Sequence, residues 1–134
     1  MIYFLDTNVC IRFLNGSSQG VLDRFEEIDF DDIVIPSIVA AELMHGAYKS
    51  AKRDYNLNRF REFINQFKII GLSSGAIETY GQIRLELEQK GTPIGANDYF
   101  IAAIALASSG TLVTNNTREF SRIQSLLLED WSIG

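Results

Sequence analysis

The chain has 134 residues, of which 46% are hydrophobic and 22% are charged, and its formal net charge is −5. This length suits a single domain, and the composition excludes a disordered tail, a collagen and a coiled coil. The acidic charge argues against a protein that coats nucleic acid by neutralising phosphates, but it is compatible with a local basic patch.

Cysteine content and hydropathy give further bounds on the class of protein. The single cysteine, Cys10, cannot form an internal disulfide, so the sequence does not require an oxidising compartment. The first residues lack the basic region of a signal peptide, and no apolar run reaches the roughly 20 residues of a membrane helix. We expect one domain over residues 1–134, located in the cytoplasm and with no membrane partner.

The first half of the chain alternates short apolar runs with helical patterns. Residues 2–5 are apolar and end at the polar triplet 6–8, which predicts a buried strand followed by a helix to about Leu14. A β-branched run at 33–35 predicts a second strand. Further helices are predicted over 18–27, 37–50 and 54–67.

The second half continues this alternation. Strands are predicted at 68–72, 111–114 and from about Leu126, with helices over 74–90 and 96–108 and a short helix from about Thr117. Strands that alternate with helices predict an α/β fold, with a parallel central sheet and helices on both faces.

Many catalytic motifs are absent from the sequence. It contains no phosphate-binding loop, no G-x-G-x-x-G, no G-x-S-x-G, no H-E-x-x-H and no C-x-x-C. The only histidine, His45, follows Glu42 by three residues, which is half of the paired motif found in di-iron bundles. Structural roles are the simpler interpretation for His45 and for Cys10, which lies in an apolar helix face.

Four acidic residues follow predicted strands or begin predicted helices: Asp6, Glu42, Asp98 and Glu119. In an open α/β sheet, ligands bind beyond the carboxyl ends of the strands, so these acids could converge there. Each acid could instead cap a helix or favour its dipole. Crowded carboxylates repel unless a cation neutralises them, and hard oxygen ligands select Mg²⁺ or Mn²⁺. Such a metal activates water and stabilises a transferring phosphoryl group without a histidine base.

The segments around these acids resemble PIN-domain ribonucleases, and most closely the VapC toxins of toxin–antitoxin pairs. The segments are 2–8 (IYFLDTN), 39–43 (VAAEL), 93–103 (PIGANDYFIAA) and 112–120 (LVTNNTREF). The resemblance covers nearly the whole chain. It implies an α/β/α domain, an endoribonuclease that depends on Mg²⁺ or Mn²⁺, a homodimer, and a VapB-type antitoxin that blocks the site.

The resemblance also implies roles for individual residues. Asp6, Glu42 and Asp98 match the three core acids of the family, as catalytic residues and metal ligands. Many PIN domains have aspartate at the position of Asn116, whereas closely similar toxins have an acid at Glu119, so we expect Glu119 to be the fourth. Supporting roles are expected for Thr7, Asn8, Thr114 and Asn116.

A basic segment lies in the middle of the acidic chain. Residues 49–68 hold six basic and two acidic side chains, a local charge of +4. We expect Lys49, Lys52 and Arg53 to bind the RNA backbone, together with Arg59 and Arg61. Exposed tyrosines, Tyr48 and Tyr55, could stack on unpaired bases. A solvated helical face is the alternative interpretation. Phe60, Phe63 and Phe67 repeat at helical spacing and are assigned to the core or to a dimer interface.

Two other functions remain open at this point. Phosphoaspartyl hydrolases and receiver domains also place an acid after a first strand. Proteins of both classes have a lysine late in the chain that holds the phosphoryl group, whereas the last lysine here is Lys90. A non-catalytic PIN-fold binding module would be expected to lose one of the acids. The RNA target is open among tRNA, which the closest resemblance implies, messenger RNA and ribosomal RNA; single-stranded loops are where RNA sequence is read best.

Overall fold

Five short strands form the centre of the structure, a computed structural model that describes residues 1–133. They are β1 (Tyr3–Leu5), β2 (Ile33–Pro36), β3 (Lys68–Ile70), β4 (Thr111–Val113) and β5 (Leu127–Glu129). The order across the sheet is β3-β2-β1-β4-β5, and every pair is parallel. The predicted parallel sheet is therefore confirmed.

Helices connect these strands. They are α1 (Thr7–Asn15), α2 (Gln19–Glu27), α3 (Ser37–Lys49), α4 (Arg53–Asn65), α5 (Ser74–Gln89), α6 (Ala96–Ala107) and α7 (Thr117–Phe120). A 3₁₀ turn (Phe30–Asp32), which was not predicted, precedes β2. Crossovers between parallel strands are right-handed, so the connections running from β1 to β3 and from β3 to β5 place helices on opposite faces. None of the helices in residues 1–133 is long and apolar enough to span a membrane.

The central strands are buried on both faces, as their unbroken apolar runs require. Ile33, Val34 and Ile35 of β2 are all buried, and so are the neighbouring residues of β1 and β4. Helix α6 is also buried on most sides, because its alanines allow close packing against α5 and the sheet. The Asp98 end of α6 is thereby fixed to the centre of the fold.

One boundary differs from its prediction for a reason visible in the packing. Helix α4 ends at Asn65, and Phe67 lies beyond it rather than inside a helix to residue 67. The Phe67 ring packs against Phe25, Phe30 and Phe63, in an aromatic cluster that takes it out of the helical path. Phe63 and Phe67 are buried and Phe60 packs against the same core, so the core interpretation of this series holds.

Strands β1 and β4 approach closely because the residue before β4 is a glycine, which has no side chain. Gly110 directly precedes β4, and a Cβ atom there would lie 2.3 Å from the ring of Phe4. Phe4 is fully buried, and Thr111 N–H donates to the Ile2 carbonyl at 2.9 Å beside it. Only glycine admits the ring at this spacing of the two strands.

Candidate active site

The carboxyl ends of the strands meet where the strand order reverses. Connections from β1 lead to β2 on one side, whereas β4 lies on the other side of β1, so a crevice opens between β1 and β4. Asp6 directly follows β1, and Thr114 directly follows β4. The Thr114 hydroxyl donates to Asp6 Oδ2 at 2.7 Å across this crevice.

Asp6 is held from several directions. Its backbone N–H donates to the Val113 carbonyl at 2.9 Å, and its Oδ1 accepts from the Thr7 N–H at 2.8 Å as the cap of α1. The side chain of Asp6 is buried, with 7% of the residue exposed. Thr114 Oγ1 also accepts from the Asn116 N–H at 3.0 Å, which ties the next turn to the same centre. Asp6 therefore caps α1 with one carboxylate oxygen while the other bonds to Thr114 across the crevice.

The four predicted acids influence one another electrostatically. Burial, followed by the charges of Asp6, Glu119 and Glu42, raises the pKa of Asp98 to about 6. Burial, followed by the charge of Asp6, raises the pKa of Glu42 as well. The pKa of Asp6 is raised by burial, against the lowering effect of its bonds with Thr114 and Thr7. The structure therefore brings the acid that follows β1 together with acids from α3, α6 and α7.

No basic side chain offsets this crowding within residues 1–133. The ion pairs of the described chain lie elsewhere: Arg24 with Glu27 and Glu129, Arg84 with Glu88, and Lys90 with Glu86. The partners that favour the charged form of Asp6 are the Thr114 hydroxyl and the Thr7 N–H. A cleft with four acids and no built-in counter-charge attracts cations.

Glu119 and Asn116 act as a pair. The Asn116 side-chain amide donates to Glu119 Oε2 at 3.1 Å. Asn116 directly precedes α7, but its side chain does not cap that helix. Asn116 therefore orients the Glu119 carboxylate, and Glu119 brings the negative charge that reaches Asp98.

The donor atoms of the cleft fit a hydrated hard cation. Besides the carboxylates, Thr7 Oγ1 and Asn115 Oδ1 are buried and without a hydrogen-bond partner in residues 1–133. As the side chains stand in residues 1–133, no three acids, histidines or cysteines are close enough together to hold one ion by themselves. Mg²⁺ typically binds one or two carboxylates and keeps several waters, so a wide all-oxygen cleft suits it.

Two residues that were not predicted hold the turn before Asp98. The Tyr99 hydroxyl accepts from the Ile94 N–H at 3.2 Å in a buried position. The Arg122 guanidinium donates to the Pro93 carbonyl at 3.0 Å. Arg122 and Pro93 are 29 residues apart in the chain, and no local sequence pattern indicates such a contact.

The basic segment begins at Lys49, the last residue of α3, and continues through the following turn and α4 to the start of β3. Lys49 follows Glu42 by seven residues on the same helix, a rise of about 10 Å. The turn and the start of α4 line an open cavity of about 600 Å³ with residues 50–55, which include Lys52 and Arg53. Arg53 Nε donates to the Tyr48 carbonyl at 2.7 Å, and Tyr48 and Tyr55 are exposed by 49% and 58%.

Arg59 is a correction to the predicted RNA-binding set. Its guanidinium donates to the Leu14 carbonyl at the end of α1 and to Asn56, and it packs over the ring of Tyr55. A guanidinium with these contacts stabilises the fold rather than facing a ligand. Arg61 remains exposed beside the Tyr48 hydroxyl, at 3.4 Å.

Three other polar residues lie outside the cluster of acids. Cys10 is fully buried, and burial together with the charge of Asp6 raises the pKa of its thiol, so it is a neutral core residue. His45 is exposed on α3, one turn beyond Glu42. Asn8 is exposed on α1, and the structure gives its side chain no hydrogen bond within residues 1–133.

This combination of sheet order, crevice and converging acids defines an α/β protein with an acidic cleft at the point where the strand order reverses. Residues 3–126 match the PIN domain family. The chain is 44% identical over 132 residues to Ribonuclease VapC2 of Rickettsia felis, and the match covers 98% of both chains. It is 37% identical over 130 residues to the tRNA(fMet)-specific endonuclease VapC of Shigella flexneri, covering 97% and 98%.

Solved structures agree with these relatives. VapBC2 of Rickettsia felis, bound to a DNA fragment from its promoter, superposes with a TM-score of 0.91 at 43% identity, covering 98% of this chain and 99% of the other. DNA-bound VapBC of Salmonella typhimurium also gives 0.91, at 37% identity and 98% coverage of both chains. The chain belongs to the PIN-domain family, and within it to the VapC-type proteins.

Proposed function

We propose that this protein is a metal-dependent endoribonuclease toxin whose active site is formed by Asp6, Glu42, Asp98 and Glu119. The observation that carries the proposal is the Asp98 carboxyl, which shares its cleft with three other acids and has no basic partner there within residues 1–133. The relatives named as ribonucleases and as a tRNA-specific endonuclease support RNA as the substrate class.

The residues of the cleft and its surroundings have separate proposed roles. Thr114 and the Thr7 N–H hold both oxygens of Asp6, and Asn116 holds one oxygen of Glu119, so these carboxylates are oriented before a ligand arrives. Asp6 and Asp98, with Glu42 and Glu119, would hold Mg²⁺ or Mn²⁺ directly or through water. Such an ion supplies a water of lowered pKa and neutralises charge on the phosphoryl group. Lys49, Lys52 and Arg53 would hold the RNA backbone beside the cleft.

Replacement of the two central acids tests the site. We expect Asp6→Asn and Asp98→Asn to fold normally and to lose RNA cleavage by about a hundredfold or more, because each removes a charge that the cation needs. Cleavage of labelled RNA is measured with Mg²⁺ and with EDTA. Glu26→Gln, which removes an exposed charge on α2, serves as the control and should cleave like the parent protein. Parental activity in either aspartate variant would refute the site.

The partners follow from the solved relatives and from the resemblance. We expect a VapB-type antitoxin, since the VapBC structures contain such pairs. We also propose that the protein forms a homodimer and cleaves RNA in the cytoplasm. A tRNA target is supported by the relative from Shigella flexneri, and cleavage of total RNA, separated into tRNA, ribosomal RNA and messenger RNA fractions, would identify the target.

The two alternatives are less well supported. Flavodoxin-like proteins such as receiver domains have the strand order 2-1-3-4-5, whereas the order here is β3-β2-β1-β4-β5. Lys90 lies at the end of α5, before α6 and β4, and not in a late loop of the sheet. A non-catalytic module is disfavoured because the described cleft retains all four acids.

A further inference from the structure

The two turns that carry Asp98 and Glu119 are joined by one side chain. Arg122 lies just after α7, and its backbone N–H donates to the Glu119 carbonyl at 3.1 Å. Its guanidinium reaches across to the Pro93 carbonyl at 3.0 Å, in the turn that leads into α6. Arg122 is thus bonded both to Glu119 in α7 and to the turn that leads into the Asp98 helix.

The turn before Asp98 has few other restraints. Helix α6 begins after Gly95 without a side-chain cap, and Gly95, Ala96 and Asn97 are exposed. A cavity of about 350 Å³ opens over residues 95–98. Apart from the Arg122 bond, the side chain that holds this turn from outside its backbone is Tyr99, through the Ile94 N–H. Two side-chain contacts therefore hold the turn that leads into the Asp98 helix.

The Arg122 guanidinium forms no ion pair with the acids of the cleft within residues 1–133. Burial and the three other acids set the raised pKa of Asp98, and no arginine is among the groups that lower it. The guanidinium is directed at a backbone carbonyl rather than at a carboxylate. A geometric role and an electrostatic role for this side chain therefore predict opposite effects on cation binding.

We propose that Arg122 is a positioning residue that fixes the separation of Asp98 and Glu119 and so sets the cation affinity of the cleft. The proposal rests on the metal-dependent function proposed above. Removal of a positive charge near acids should by itself strengthen cation binding. Loss of the link between the two turns should weaken it, because the carboxylates are no longer held at a common site.

The test compares Arg122→Ala with Arg118→Ala, which removes the same charge from an exposed side chain of α7. Mn²⁺ is titrated into each protein, and free Mn²⁺ is measured by its EPR signal. We expect Arg122→Ala to raise the Mn²⁺ concentration for half-saturation by about tenfold, the lower end for outer-shell partners. Arg122→Lys, which keeps the charge and one donor, should recover part of this loss, and Arg118→Ala should leave affinity unchanged or higher.

Amide hydrogen exchange provides a readout that does not depend on metal or RNA. Without metal, we expect the peptide over residues 91–99 to exchange about threefold or more faster in Arg122→Ala than in the parent, and at the parental rate in Arg118→Ala. Equal exchange in all three proteins, or Mn²⁺ binding in Arg122→Ala that is as tight as in the parent or tighter, would overturn the proposal. If the parent protein neither bound Mn²⁺ nor cleaved RNA, the proposed function would fail, and the exchange result would decide the positioning role alone.

Discussion

At the scale of single residues, Asp98 shows how the site opposes the stability of the fold. Its pKa lies at about 6 in the folded protein, above the ordinary value of 3.8. Between these values the folded protein keeps a proton that the unfolded chain releases, so stability falls as pH rises through this window. Above pH 6 the full cost is present, and below 3.8 it disappears. A bound cation would offset this cost.

The first expectation is that Asp98→Asn stabilises the protein in EDTA at pH 7.5. The gain should be of order 1 kcal/mol after allowance for the solvent that screens a half-buried carboxyl, or about 3–5 °C in melting temperature. It should shrink toward zero at pH 4, where the parent carboxyl is protonated. Thermal unfolding at both pH values measures this, with Glu26→Gln as control. A gain of equal size at pH 4 would show that charge repulsion is not the cause.

The second expectation concerns the fourth acid. Glu119→Gln keeps the shape of the side chain and removes the charge that Asn116 orients, so half-maximal cleavage should need about tenfold more Mg²⁺. Asn116→Asp should lower the Mg²⁺ requirement and should partly rescue Glu119→Gln, because it restores an acid in the same turn. An unchanged Mg²⁺ titration for Glu119→Gln, with a shifted one for Asn116→Ala, would make Asn116 the ligand.

At the scale of elements, the basic side chains around the turn between α3 and α4 differ in how many contacts they make within the fold. Arg59 is bonded to the end of α1, and Arg53 is bonded to the Tyr48 carbonyl. Lys49 and Lys52 are exposed on the same surface. The two lysines are therefore the cleanest probes of RNA binding, since their removal leaves both arginine contacts in place.

The third expectation is that Lys49→Ala with Lys52→Ala raises KM for RNA and changes kcat less. If both lysines contact phosphates of a single strand, the slope of log KM against log salt concentration should fall by about 1.4 units. Arg84→Ala with Lys90→Ala removes the same charge from α5 and its end, outside the basic segment, and it should keep the parental slope. Equal slopes in both double variants would favour the alternative interpretation, in which the basic segment is a solvated helical face that does not bind RNA.

Sequence patterns predicted the elements better than their contacts. The apolar runs at 2–5, 33–35 and 111–114 predicted the central strands because these strands are buried on both faces. Asp6, Asp98 and Glu119 were found because each lies near a strand end or a helix start, and Glu42 was found in the second turn of the helix after β2. The end of α4 and the role of Arg59 were missed, because an aromatic cluster and the carbonyl of Leu14 decide them from distant parts of the chain. Arg122 was missed for the same reason.

At the scale of the whole molecule, an apolar face remains uncovered at the β3 edge of the sheet. A groove of about 240 Å³ lies between α3, α6 and the chain after β3, and its lining carries no charge: Ser37, Ile38, Ala41, Leu72, Phe100 and Ile104. Leu72 is 43% exposed, and Ile69 on β3 is 46% exposed. This uncharged face is where a second copy of an acidic chain could pack without bringing like charges together.

The fourth expectation is that Leu72→Asp separates the proposed homodimer. A charge in an uncharged contact has no partner, so the dimer should dissociate about a hundredfold more readily. Light scattering after size-exclusion chromatography over a concentration series measures the mass. Leu127→Asp, which alters a 60% exposed leucine on the opposite edge strand, is the control. If both variants stay dimeric, the copies meet elsewhere; if the parent is monomeric at every concentration, the homodimer proposal is wrong.

The contact between Gly110 and Phe4 limits which sequences can carry this site. Any side chain at position 110 would displace the Phe4 ring and slide β1 against β4. Asp6 and Thr114 lie at the far ends of these two strands, and their 2.7 Å bond depends on the register that the ring fills. A mutational scan would therefore find position 110 as intolerant as the acids, although it touches no ligand. A relative that keeps the acids of this cleft should therefore also keep glycine at position 110.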